Sequence, residues 1–217
     1  MKICAISDLH DQQSHYADEL SRLDAEVLVV AGDLTNWGDE QACLMAITFL
    51  NSLKNFTYKL IIAGNHDFWF EKRMRQKRTH EVTKGMFYLH ESGITIQGRH
   101  FWGSPYTEKF GSYAFMYDPS QAKRRWSKIP DQVDVLITHG PPKTILDTLA
   151  GTDKGFLGCP ALYERVKQVQ PIHHVFGHIH SSHGQKVLPR EFRTCFSNVS
   201  LCNDQNKPTY APTIIEL

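Results

Sequence analysis

The sequence predicts an α/β fold, a four-layer αββα sandwich in which two mixed β-sheets are flanked by helices. Three observations predict it. Short apolar runs of strand length recur along the chain, apolar enough to be buried on both faces. Stretches with helical period lie between them. Closely spaced strand patterns in the middle and at the end add hairpins to the crossovers.

In chain order, the apolar runs are residues 3–6, 27–31, 60–63, 133–137 and 174–176. They end at Ser7-Asp8, at Gly32-Asp33, at Gly64-Asn65-His66-Asp67, at Thr138-His139-Gly140 and at Gly177-His178-Ile179-His180. Residues 39–53 read as a helix with a stripe at Leu44, Ile47, Leu50 and Leu53. Residues 68–78 read as a basic helix. Residues 120–128 read as another, started by Asp118-Pro119-Ser120 and stopped before Pro130. Residues 160–169 start on a proline and end before Pro171. Between 86 and 103, the segments 87–89, 94–96 and 100–102, punctuated by Gly93 and Gly98, read as an antiparallel meander. The tail repeats that pattern at 185–188, 193–196 and 213–217. No repeat, low-complexity stretch or linker interrupts the chain, so residues 1–217 read as one domain.

Composition narrows the function classes. A net charge of +1, with 22% charged and 41% hydrophobic residues, suits a soluble globular protein and argues against binding a nucleic-acid polymer or a membrane surface. No apolar run approaches the ~20 residues of a membrane span. The first residues run into a core strand with no leader pattern, so the expected location is the cytoplasm. Cys4, Cys43, Cys159, Cys195 and Cys202 are scattered, with no Cys-x-x-Cys pair, and read as reduced, mostly buried thiols. The twelve histidines are the outlier and direct attention to metal-ligand spacing.

The strand ends of such a fold meet on one edge, where open α/β sheets place ligands. Gathered there are Asp8, His10, Asp33, Asn65, His66, His139, His178 and His180. They are carboxylates, an amide and imidazoles without a thiol, a set suited to Mn²⁺, Fe²⁺ or Zn²⁺ at a catalytic site. Read as extended chain, Asp8-Leu9-His10 puts two ligands on one side, and His178-Ile179-His180 presents both imidazoles to one centre. His174, inside an apolar run, reads as a strand residue. His90, His100, His173 and His183 read as structural, and His15 and His80 as surface positions.

The order Asp8-x-His10, Gly32-Asp33, Gly64-Asn65-His66-Asp67, Thr138-His139 and Gly177-His178-x-His180 resembles the calcineurin-like metallophosphoesterase superfamily across nearly the whole chain. Residues 88–117, His139-Gly140-Pro141-Pro142, Gly158-Cys159-Pro160 and the run 174–180 look like the metallophosphoesterase-domain (MPPED-type) phosphodiesterases. The resemblance implies the metallophosphoesterase fold and two divalent metal ions, Mn²⁺ foremost, with Fe²⁺/Fe³⁺, Zn²⁺, Co²⁺ or Ni²⁺ as alternatives. Asp8, His10, Asp33 and His180 would hold the first metal. Asp33, Asn65, His139 and His178 would hold the second, and Asp33 would bridge. His66 would stand beside the metals as a catalytic residue, with Asp67 orienting or charge-tuning its imidazole.

Paired metals ~3.5–4 Å apart polarise a phosphoryl group and turn water into a nucleophile near neutral pH. The leaving alkoxide needs a proton or a positive partner, which His66 can supply. The expected function is therefore metal-dependent hydrolysis of small phosphodiesters, with nucleotides, cyclic ones among them, as candidate substrates. A phosphomonoesterase or protein phosphatase is the nearest alternative, and an interaction scaffold that keeps the fold without the chemistry is a more distant one. The aromatic segment with Tyr106, Phe110 and Tyr113 has two readings, a loop whose rings stack on a nucleobase or a loop that packs its own rings. The basic segment 72–78 reads as a solvated helix face.

Overall fold

A computed structural model describes residues 1–76 and 79–217. In chain order its elements begin with β1 (Lys2–Ile6), α1 (Gln13–Arg22), β2 (Val27–Ala31), α2 (Glu40–Ser52) and β3 (Tyr58–Ile62). Then come α3 (Phe68–Arg75), α4 (Thr79–Val82), β4 (Phe87–Tyr88), β5 (Ser92–Ile96), β6 (Arg99–Ser104), β7 (Thr107–Glu108) and β8 (Met116–Tyr117). The chain continues through α5 (Ala122–Trp126), β9 (Val135–Thr138), α6 (Pro160–Val169), β10 (His173–Phe176), β11 (Gly184–Val187), β12 (Cys195–Asn198) and β13 (Thr213–Glu216).

Two mixed sheets result. The first runs β13-β1-β2-β3-β4, parallel except for β13. The second runs β11-β12-β10-β9-β6-β5, with parallel centre strands and an antiparallel strand at each edge. The alternation of side chains along each strand sorts the core into layers. Ile3, Ala5, Val27, Val29, Leu60 and Ile62 face the second sheet's Phe101, Val135, Ile137 and Val175. The intervening Cys4, Ile6, Leu28, Val30 and Ile61 pack outward under α1, α2 and α3. On the other side Leu136, Phe176 and Phe196 pack under α5 and α6 through Trp126, Leu162 and Val166. The four-layer αββα sandwich is thus the arrangement that buries both faces of both sheets.

Local chemistry explains the main helices. The Asp39 carboxylate accepts the Ala42 N–H at 2.9 Å and caps α2. Pro160 opens α6, where a missing N–H costs nothing, and Gln170 closes it in the left-handed region at φ 53°.

Several expectations are corrected. The buried face of α2 is Cys43, Ala46, Ile47 and Leu50, continued by Leu53, whereas Leu44 is exposed. Helix 68–78 ends at Arg75, and Lys77 and Arg78 lie outside the described residues. Residues 120–128 form a short 3-10 turn at Pro119–Gln121 followed by α5. The expected meander is split, since β4 pairs parallel with β3 while β5 and β6 form a hairpin in the other sheet. The tail divides too, with β13 joining β1. The aromatic segment contains a small two-stranded pairing, β7 with β8. Helix α1 has too thin an apolar stripe to announce itself in the sequence, because it buries only Tyr16 and Leu20.

Candidate metal centre

The loops after β1, β2 and β3 meet those after β9 and β10 on one rim. Backbone bonds tie them together. Asp8 N–H donates to Gly32 O at 2.9 Å, His10 N–H to Asp33 O at 3.2 Å, and Gly177 N–H to His139 O at 2.9 Å. The backbone turns sharply here. Asp8, His10, Asp33 and His178 have φ of 54°, 44°, 50° and 71°, a region that side-chain-bearing residues rarely adopt.

These turns correct the extended-chain reading of Asp8-x-His10. Both side chains reach one centre because each residue is left-handed, not because the chain is a strand there. The pair His178 and His180 does not share a centre either. Two groups form, Asp8 with His10 and His180, and Asp33 with His139 and His178, and within each group the potential ligand atoms lie within 4.8 Å of one another. Asn65 joins the second group, its Oδ1 standing 2.9 Å from His139 Nε2. Asp33 Oδ2 stands 3.2 Å from His139 Nε2 and 3.9 Å from His10 Nε2, so its carboxylate lies between the groups. Each group draws on both sheets.

The donor set fits a cation in its chemistry. His139 Nδ1–H donates to Ala31 O at 2.9 Å, which leaves Nε2 facing two acceptor oxygens, Asn65 Oδ1 and Asp33 Oδ2. His180 Nδ1–H donates to Asn203 O at 2.8 Å, leaving its Nε2 3.2 Å from Asp8 Oδ1 and 3.2 Å from His10 Nε2. Acceptors converging in a buried space need a positive charge among them. Burial alone would lower His139 and His180, yet Asp33 and Asp8 respectively override it and raise each imidazole to about 9. Burial likewise pushes the Asp8 and Asp33 carboxyls up, but the imidazoles beside them, His180 and His139 first, hold both well below the usual carboxylate range. Both groups therefore suit a cation, and the Nδ1-to-carbonyl bonds orient ligand imidazoles as outer-sphere partners do.

His66 is half-buried beside the first group, its ring 4.9 Å from that of His10 at a 90° angle. Its N–H donates to Asp33 Oδ1 at 2.8 Å, and its Nδ1–H donates to Asn36 O at 2.6 Å. Among the described residues no Asp67 hydrogen bond reaches this ring, which corrects the expectation that Asp67 orients the imidazole. Its Oδ2 accepts from Gly64 and Leu34 N–H, and its Oδ1 from Thr35 N–H and hydroxyl, at 2.8–3.3 Å. Asp67 thereby ties the loop after β2 to the loop after β3.

Sequence reasoning missed further contributors. The Ser7 and Ser200 hydroxyls donate to Asp8 Oδ2 at 2.5 and 2.7 Å, and His178 N–H reaches both Asp8 oxygens at 3.2 and 3.1 Å. Asn36, Asn203 and Ala31 act through main-chain carbonyls, which leave no trace in residue type. Ser7, beside Asp8 at the end of the first apolar run, is the one legible signal.

The three aromatic candidates separate. Phe110 and Tyr113 are 58% and 41% exposed and form a lip over the site. The Phe110 ring lies 5.2 Å from that of His178, the Tyr113 ring 5.1 Å from that of His66, and the two 5.2 Å from each other. Tyr106 packs edge-on against Phe115, under the Arg125 guanidinium at 3.5 Å, and also lines a cavity beside the second group. His174 is fully buried in β10 with Nε2 2.8 Å from Thr138 Oγ1, away from both groups, as expected of a strand residue.

Comparison with known proteins gives the family and the fold. Residues 1–182 match the family profile described as calcineurin-like phosphoesterase. Relatives include the UPF0046 protein K07C11.7 of Caenorhabditis elegans, 33% identical over 228 residues, covering 99% of this chain and 74% of that protein. Another is metallophosphoesterase domain-containing protein 1 of Homo sapiens, 30% identical over 239 residues, covering 100% and 71%. The crystal structure of TT1561 of Thermus thermophilus shares the fold, with a TM-score of 0.66 at 14% identity over 91% of this chain and 88% of that one.

Proposed function

The chain belongs to the calcineurin-like phosphoesterase family, and from that premise we propose that it hydrolyses phosphodiesters with two divalent cations held at the rim between its sheets. One observation carries the reading: two acceptor-rich groups stand side by side with the Asp33 carboxylate between them. Asp8, His10, Asp33 and His180 would hold one ion, and Asp33, Asn65, His139 and His178 the other. Oxygen and imidazole ligands without thiolate suit Mn²⁺, Fe²⁺ or Zn²⁺, of which Mn²⁺ is tried first. When bound, the ions supply Lewis acidity to the phosphoryl group and to the attacking water.

The chain's own residues do the rest. Ser7, Ser200 and the His178 N–H hold the Asp8 carboxylate in place. The bond to Asn36 O occupies Nδ1–H of His66, so that Nε2 is the nitrogen left to meet the leaving oxygen, and it has a proton to deliver only when the ring is an imidazolium. Phe110 and Tyr113 offer exposed faces on which a ring of the substrate stacks. Cyclic nucleotides are diesters with such a ring. The human relative carries metallophosphoesterase in its name, which is consistent with this reading.

The test uses protein loaded with Mn²⁺ and bis(p-nitrophenyl) phosphate. Asp33→Ala should lose bound metal and activity together. His66→Ala should keep its metal and lose activity ~10²–10⁴-fold on alkyl diesters, whose alkoxide needs a proton, and far less on the p-nitrophenyl ester. Equal rates for wild type and both variants would sink the reading. A parallel panel of monoesters, cyclic nucleotides and phosphopeptides ranks the substrate classes.

A further inference from the structure

A cavity of about 500 Å³ opens beside the second ligand group. That volume falls within the ~300–1,000 Å³ range of sites that enclose a drug-sized ligand. His178 and Phe110, which border the metal centre, line it together with Tyr117, Trp126, Leu149 and Leu157. Lys109 and Lys154 also line it, without an ion pair within 4 Å among the described residues, and so does the acidic Glu108. Thr107 lines it as well, and its buried hydroxyl has no partner among the described residues. His66 and Tyr113 do not line it. Phe110 stands between, its ring touching that of His178 on one side and that of Tyr113 on the other.

We propose that this cavity receives the ester arm that stays on phosphorus, and that it selects diesters whose retained arm carries a planar ring with hydrogen-bond acceptors on its edge. The inference rests on the phosphodiesterase reading above. In hydrolysis the water oxygen bonds to phosphorus, the bond to the leaving arm breaks, and the departing oxygen takes up a proton. That arm faces His66 in this reading, the residue placed to meet the departing oxygen. The retained arm's bond is untouched, and the cavity lined by His178 and not by His66 is the space open to it. The cavity walls are mainly apolar and aromatic, which suits a ring. The two ammonium groups and the Thr107 hydroxyl suit acceptor atoms on its edge.

Three esters that all release p-nitrophenolate isolate the retained arm: methyl, phenyl and thymidine-5′ p-nitrophenyl phosphates. With the Mn²⁺-loaded enzyme, kcat/KM should rise at least ~10-fold from methyl to phenyl, the scale on which apolar pockets discriminate. The thymidine ester should match or exceed phenyl. Leu149→Trp, which adds bulk to the lining, should cut the phenyl-to-methyl ratio several-fold, and Leu157→Trp offers the same test from an exposed loop should the first variant fail to fold. Thr107→Val should lower the thymidine-to-phenyl ratio. Equal kcat/KM for all three esters, or ratios that both Trp variants leave as in wild type, would overturn the subsite while leaving the phosphodiesterase intact. If none of the three esters releases p-nitrophenolate, the phosphodiesterase reading itself fails and takes the subsite with it.

Discussion

His174 shows how much one buried side chain can weigh on pH dependence. It lies fully buried against Phe176 and Phe196, and burial drives its pKa from 6.5 to about 3. The folded value lies below the unfolded one, so between them the unfolded chain binds one more proton. Stability is therefore complete above the unfolded value and falls as pH drops, by at most ~1.4 kcal/mol per unit. Urea unfolding between pH 8 and pH 4 should show this slope, and His174→Phe should remove about one proton's share of it. Identical slopes would rule the role out. The residue is legible as structural because it sits within an apolar run, and the candidate ligands are legible because each follows one. Asp67 is not, since its neighbour His66 suggests a catalytic partnership, while its actual partners are Gly64, Leu34 and Thr35, contacts that only the folded loops bring together.

At the scale of the element, the turn after β10 does the most positioning. A Cβ at Gly177 would overlap Asp8 Oδ2 and Ser7 Oγ, so only glycine lets the two loops come this close. Gly177→Ala should push Asp8 out of place and cost ~10–100-fold in metal affinity or activity, the range for a residue that orients a ligand. Circular dichroism should still report a folded protein, because the overlap is confined to the rim. Wild-type metal content and rate in this variant would contradict the argument. Long strands and α6 can be read from their patterns, because five buried residues in a row or a proline-led helix speak locally. The two-residue β4 cannot. Its pairing with β3 rather than with β5 is decided by packing between sheets, and a pair of residues carries no register. The aromatic segment hides β7 and β8 for the same reason.

For the molecule as a whole, the layering is readable because alternate residues of β1, β2 and β3 are apolar on both faces, which demands cover on each side. Which strand occupies which edge is not readable, since β13 and β11 are held by partners that the local pattern does not name. The placement of the ligand groups has a thermodynamic consequence. Asp8, His10, Asp33 and Asn65 extend from one sheet, and His139, His178 and His180 from the other. Cations that bind both sets fasten the halves of the sandwich, so metal activity and unfolding temperature are linked quantities. Each tenfold rise in free Mn²⁺ above its Kd should add ~1.4 kcal/mol per ion, visible as a melting point that keeps climbing with concentration and falls back with chelator. An Asp33→Ala protein should climb far less steeply, so calorimetry alone, with no substrate, counts the rivets that hold the two halves together.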